Sequence, residues 1–457
     1  MALSSAIEWD IQTGGSDSNG GGFKAGASGT DRSTSTTPQA TLSVLSTVHT
    51  TTTQINVSLT DYTVQNPGDV GNVLQVTGGS ATADFYEITT ADTVNNRWTV
   101  DKAVGTAAQT VVGRMGGCLL TLSKVEPKAV AGNTIHVKDG TYAELLTLTI
   151  SGGNGTPRTW AGYATTHGDA PTGTTRPLID AAGARASCVA VVATAGNVFS
   201  YFRGSGGTAA NFDQTTGFSE WRQCKSSGAT AEGWKATTTG ALVLVACESS
   251  GNTTIGVNVT GSANLVIDSC YIHDNTTTGV TAGTSAFVAK NCIIEANGSH
   301  GISIPGSVAV ALIDHCTIDG NTGGTTDGIN VSGAGTKPFI ARNNLLTNNG
   351  KYGANRTGAT AVAAFAWNYN DYNGNGTAGL NSITAGANDS TADPGYTNRG
   401  AGDFTIATTL ADSGYPGAFP GATTTGFSPM GAVGRSGTAS GGGMLVHPGM
   451  EGGCKGY

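Results

Sequence analysis

Charge is scarce in this sequence. Asp, Glu, Lys and Arg make up 12% of its 457 residues, and aromatic residues only 7%. The formal net charge is −8, which argues against a nucleic-acid surface. No apolar run approaches the length of a membrane span, so no membrane insertion is expected. The stretch Met1–Asp10 lacks a basic segment followed by an apolar one, so no signal peptide is expected. Neither CxxC nor HxxxH occurs, so the eight cysteines follow no zinc pattern. Apolar residues at helical spacing are missing as well.

What the chain does have is glycine, 70 residues of it, and a repeat. Cys224, Cys247, Cys270, Cys292 and Cys316 are separated by 23, 23, 22 and 24 residues. Asn252, Asn275, Asn297 and Asn321 each stand five residues after a cysteine. Ile272, Ile294 and Ile318 stand two residues after the last three. Glycine followed by an apolar residue recurs at Gly233-Trp234, Gly256-Val257, Gly279-Val280, Gly301-Ile302 and Gly328-Ile329. A fixed period in the low twenties means stacked repeats, because one repeat cannot bury its own apolar face. Short alternating runs such as Leu265-Val266-Ile267 and Phe287-Val288-Ala289, broken by Gly, Asn and Thr, read as strands. One period is then one coil of a parallel β-solenoid, with equivalent residues about 4.8 Å apart. The cysteines become a reduced, buried column, since all their thiols point the same way. The asparagines become a hydrogen-bonded ladder at one corner.

The segment Ile7–Phe23 holds a strand and a Gly-Ser-Asp turn. Thr121-Leu122 and the run Asn133-Thr134-Ile135-His136-Val137 to Gly140-Thr141-Tyr142 come much later. Together they resemble the opening of pectate-lyase-like, right-handed β-helix proteins, with Asn133 in place of that family's Asp. Gly155-Thr156-Pro157, Gly162-Tyr163 and Arg176-Pro177-Leu178-Ile179-Asp180 are similar to its second and third coils. The resemblance implies an all-β chain built on a right-handed parallel β-helix. The expected order is an N-terminal strand and cap (1–23), an inserted small antiparallel β-domain (24–116), the β-helix (117–433) and a Gly-rich tail (434–457). Gly78-Gly79 and Asn95-Asn96 read as hairpin turns of the insert.

Sites can be sought column by column. Asp268, Lys290, Asp314 and Arg342, two residues before the cysteine column or its continuation, alternate in sign, so each should face its opposite on the next coil. His273, Glu295 and Asp319 stand three residues after the cysteines. His300 and Asp327, at an expected exposed turn, are the catalytic candidates, because successive coils place them within reach of acid–base pairing. Gly298–Ile304 and Thr326-Asp327-Gly328 are similar to polygalacturonase motifs. Yet their order is reversed, no Asp-Asp pair exists and no Arg-Ile-Lys follows. No cofactor and no metal site is expected.

Two function classes follow. β-helix proteins with this opening look like ones encoded by tailed phages. The first class is therefore a structural virion protein: a tail spike, fibre or capsid-attached protein, made in the host cytoplasm. It would act by attachment to other virion proteins and to a host surface glycan, as a homo-oligomer, with a trimer favoured. The second class is a carbohydrate-active enzyme, a lyase or hydrolase, including a depolymerising tailspike.

Overall fold

In the computed structural model, residues 3–153, 155–192, 196–333, 338–357, 365–406 and 430–432 are described. The expected Gly-rich tail at 434–457, with Cys454, lies outside them. The chain is an all-β, right-handed parallel β-helix with a separate antiparallel sheet. It divides into two compact units, Met1–Asp180 with Ala193–Phe202, and Ala181–Val192 with Arg203–Tyr457.

In the first unit, strand Ile7–Ile11 lies parallel to Thr134–Lys138, which lies parallel to Arg158–Tyr163, which lies parallel to Asn197–Ser200. Alternation sends Trp9, Ile135, Trp160 and Phe199 inward in register, all fully buried. The two halves of the opening meet at Asp17. Its carboxylate accepts from the Leu120 and Thr121 amides at 3.1 and 3.0 Å and from the Thr121 hydroxyl at 2.9 Å. A short helix, Leu122–Val125, starts there. Asn133 accepts from Trp9 Nε1 at 3.3 Å and donates to the Ser4 carbonyl at 3.1 Å. An amide can do both, which an ionised Asp cannot.

Between Asp17 and Leu120 the chain makes an antiparallel sheet of seven strands. Their spatial order is Ala40–Leu42, Val111–Met115, Val73–Gly79, Asp84–Asp92, Arg97–Val100, Gln54–Asn56 and Thr47–Val48. It has its own core around Trp98, Tyr86, Ile55 and Leu74. Asn95-Asn96 does turn between two of the strands. Gly78-Gly79 does not. Both glycines pair with Val112 and Val111 inside a strand, after a register shift at Val76/Gly78. The pair marks a β-bulge, where glycine relieves the irregular backbone.

The second unit stacks coils of three strands. The first strands run from Gly217–Arg222 to Phe365–Asn368, the second from Arg203–Ser205 to Leu345–Thr347, the third from Val189–Val191 to Ala378–Asn381. All pair in parallel. Between first and second strands the chain bends through one left-handed residue, at Gln223, Ala246, Ser269, Asn291, His315 and Asn343. The next residue is the cysteine in five of these bends and Asn344 in the sixth. Cys118, Cys188 and these five are buried and free of disulfides. Burial pushes the Cys247 and Cys292 thiols up, so they stay protonated. Ile272, Ile294, Ile318 and Leu346 form one inward column in register. The asparagine ladder is also present. Side-chain amides of Asn252, Asn275, Asn297 and Asn321 each donate to the next asparagine oxygen at 2.8–3.0 Å.

The charged column is in register, Asp268 against Lys290, Asp314 and Arg342. Its alternation is less complete than expected. Arg342 reaches Asp314 at 3.0 Å, but exposed Lys290 forms no ion pair among the described residues. A flexible ammonium in water gains too little there to be held.

Candidate functional site

The second strands build the candidate site within the second unit. Tyr271–His273, Ile293–Glu295, Thr317–Asp319 and Leu345–Thr347 pair in register. With Ile272, Ile294, Ile318 and Leu346 inward, alternation turns His273, Glu295, Asp319 and Thr347 the other way. A column three residues after the cysteines thus becomes a line of polar groups about 4.8 Å apart. The antiparallel pair Tyr396–Asn398 and Asp403–Ile406 carries Arg399 back onto that line. Arg399 Nε donates to Asp319 Oδ2. A cleft of about 590 Å³ results, lined by Tyr271, His273, Asp274, Glu295, Asp319 and Arg399 among others.

Each group in the cleft has a partner. Glu248 accepts from Lys225 at 2.7 Å and lies 3.3 Å from His273 Nε2. Burial alone would raise its carboxyl, but these two neighbours overrule it and hold it at about 2. His273 also meets Asp274 at 2.7 Å. Burial opposes its charge, yet the two carboxylates raise its pKa above the ordinary histidine value. The Tyr271 ring stacks on it, centroids 3.8 Å apart, and the Tyr271 hydroxyl donates to Glu295. Burial raises the Glu295 carboxyl, with the Tyr271 hydroxyl opposing and Asp319 adding to the shift.

Asp319 is 1% exposed and fully engaged. Oδ1 accepts from the Thr347 hydroxyl at 2.6 Å and from Asn348 Nδ2 at 2.8 Å, while Oδ2 takes Arg399. A carboxyl with a raised pKa one coil from a second carboxylate is the pairing that general acid–base chemistry uses. Here the second carboxylate is almost completely buried and already accepts from three donors. The cleft thus offers imidazole, carboxyl and guanidinium groups that can hydrogen-bond a hydroxyl-rich ligand.

The sequence candidates His300 and Asp327 do come together, with Nδ1 and Oδ2 3.7 Å apart. They are not an exposed pair, as Asp327 is 1% exposed. The coil stacking tucks it beneath Tyr352–Thr357, where Asn355 Nδ2 donates to its Oδ2 at 2.8 Å. His300 Nδ1 accepts from the Asp327 backbone amide at 2.9 Å. A nitrogen that accepts there carries no proton to give the carboxylate, so the orienting pair of a catalytic histidine is not formed. Burial lowers the His300 pKa and raises that of Asp327, favouring the neutral form of each.

His273, Glu295 and Asp319 stood out in the sequence as a column. Tyr271, Glu248 and Arg399 did not. Tyr271 follows Cys270 directly, and an aromatic at that otherwise ordinary position was the available signal. Arg399 lies in no repeat and left none.

A family model described as "Right handed beta helix region" matches residues 208–366. Solved structures similar to the chain include a pectate lyase, Pel9A, at 13% identity, covering 70% of this chain and 92% of that one, with a TM-score of 0.45. A rhamnogalacturonan lyase is 14% identical over 62% of this chain and 86% of that one, with a TM-score of 0.38. The tailspike protein gp49 from Pseudomonas phage LKA1 is 12% identical over 82% of this chain and 66% of that one, with a TM-score of 0.19. No curated protein matches the chain.

Proposed function

We propose that this chain is an attachment protein of a bacteriophage particle, a tail spike, fibre or capsid-attached protein. Its β-helix presents the cleft between Tyr271 and Arg399 to a surface glycan. One observation carries the choice of attachment over turnover. Asp319, the carboxylate beside the half-buried acid Glu295, is buried and spends both oxygens on Thr347, Asn348 and Arg399. The phage setting is supported by the opening segment, whose likeness is to β-helix proteins of tailed phages. The test is incubation of purified protein with bacterial surface polysaccharides, following both binding and new reducing ends or unsaturated uronates. Binding without product is expected.

The second reading, a carbohydrate-active enzyme, is favoured by the raised Glu295 carboxyl one coil from Asp319. Product formation that disappears in Glu295→Gln would establish it in place of the first.

A further inference from the structure

The first unit holds a second polar cluster, remote in sequence from the cleft. Glu8, His136 and His167 each offer a ring nitrogen or carboxylate oxygen within 4.8 Å of the other two. Glu8 and His136 come from parallel neighbouring strands, Ile7–Ile11 and Thr134–Lys138. Both sides of that pairing alternate, so Trp9 and Ile135 are buried between coils while Glu8 and His136 face the other way. His167 comes from the loop after Arg158–Tyr163. Asp169 fixes that loop by accepting from the Ala164 and Thr165 amides at 2.9 and 2.8 Å.

The His136 ring is the informative group. Its side chain is only 12% exposed, and neither ring nitrogen has a hydrogen-bond partner. Its faces are used. The ring of His167 stacks on it with centroids 3.8 Å apart and an angle of 6°, and Tyr163 packs edge-on. Stacking leaves the in-plane nitrogen lone pairs unsatisfied, and buried polar atoms rarely stay so. Parallel rings aim those lone pairs along parallel planes, so the hydrogen-bond-free His136 ring must turn about its Cα–Cβ bond to meet an ion shared with His167. The Glu8 carboxylate stands 3.6 Å from His136 Nε2, beyond a hydrogen bond. A first-row metal ion with ligands at about 2.1 Å holds its donor atoms roughly 3–3.5 Å apart.

His167 has the support that a ligating imidazole needs. Its Nε2 lies 2.5 Å from Asp10 Oδ2. Asp10 is fully buried and is itself held by Tyr163 at 2.8 Å and Gln12 at 2.8 Å. A carboxylate on one ring nitrogen fixes the tautomer and raises the basicity of the other.

We propose that Glu8, His136 and His167 bind one divalent transition-metal ion of the zinc class. Two imidazoles and one carboxylate are a donor set of intermediate softness, which selects such ions over calcium or magnesium. The ion would clasp the first strand, the second coil and the loop after the third. Its role is to secure the end of the solenoid, independently of what the cleft does.

The test is isothermal titration of the untagged full-length protein with zinc chloride, alongside the visible spectrum of the cobalt(II) form. One equivalent of zinc is expected, with a rise in melting temperature on binding. Glu8→Gln and His136→Gln should each weaken binding at least tenfold. His49→Ala, just after the strand Thr47–Val48 of the antiparallel sheet, should leave it unchanged. The Glu8 side chain is 43% exposed, so its variant should fold even if His136→Gln does not. No zinc uptake by the wild-type protein, or equal uptake by Glu8→Gln, would overturn the proposal.

Discussion

Arg399 donates to Asp319 across eighty residues of chain, and this bond, with the Tyr396–Thr347 hydroxyl contact at 2.9 Å, joins a segment outside the repeat to the repeat's polar column. Removing it exposes the cost of a carboxylate that is otherwise buried. In Arg399→Ala, Asp319 keeps only Thr347 and Asn348. A loss of about 1–3 kcal/mol is expected in urea denaturation, since a buried charge loses its counter-charge. Glycan binding by the cleft should fall with it. An unchanged midpoint would show that the Asp319 carboxylate does not depend on Arg399.

The Glu248–His273 pair predicts a stability window. Glu248 is held at about 2, below its unfolded value of 4.5, so its contribution is present above pH 4.5 and is lost as pH falls toward 2. His273 is raised above 6.5, so its contribution is complete below pH 6.5 and is lost as pH rises through the folded value. Both act together between about pH 4.5 and 6.5. The stability difference between wild type and Glu248→Gln should therefore peak in that window. Denaturation midpoints measured from pH 3 to 9, roughly the span of these titrations, check it.

Asp371 should be a destabilising residue at neutral pH. It is fully buried, and no donor among the described residues meets its side-chain oxygens in hydrogen-bonding geometry. Burial raises its carboxyl to about 6, with Ser390 and nearby backbone amides opposing only in part. The charged form thus costs stability as pH rises through about 6. Asp371→Asn should raise stability at pH 7.5 by about 1–3 kcal/mol and do little at pH 4. Equal melting of the two proteins at pH 7.5 would contradict the assignment.

The cysteines supply a simple count. All seven that are described are buried and form no disulfide. A thiol reagent added to native protein should label none of these seven, and all of them after denaturation. Fewer than five free thiols in denatured, unreduced protein would mean that disulfides cross the coils.

The columns were readable because each coil repeats its neighbour. Cys, Ile and Asn recur at one spacing, and parallel pairing turns that spacing directly into contact. Asn133 and Asp17 were readable through the opening motif. The cleft was only half readable. His273, Glu295 and Asp319 belong to the repeat, whereas Arg399 arrives from a segment whose path no periodicity sets. Glu8, His136 and His167 share no spacing, because three separate segments supply one residue each. Gly78-Gly79 misled because glycine serves a bulge as well as a turn. The exposed turn expected at Asp327 is covered, because spacing fixes neighbours along the axis but not which residues the next coil covers.

The asparagine ladder has a direction. From Asn252 to Asn321 every side-chain amide donates to the asparagine oxygen of the following coil, and no asparagine-to-asparagine bond among them runs the other way. The side-chain dipoles therefore add head to tail, as peptide dipoles do along a helix. Each bond polarises the next. The row of side chains from Asn252 to Asn349 therefore has a positive and a negative end, and by mutual polarisation a break at its middle should forfeit more than a break at either terminus.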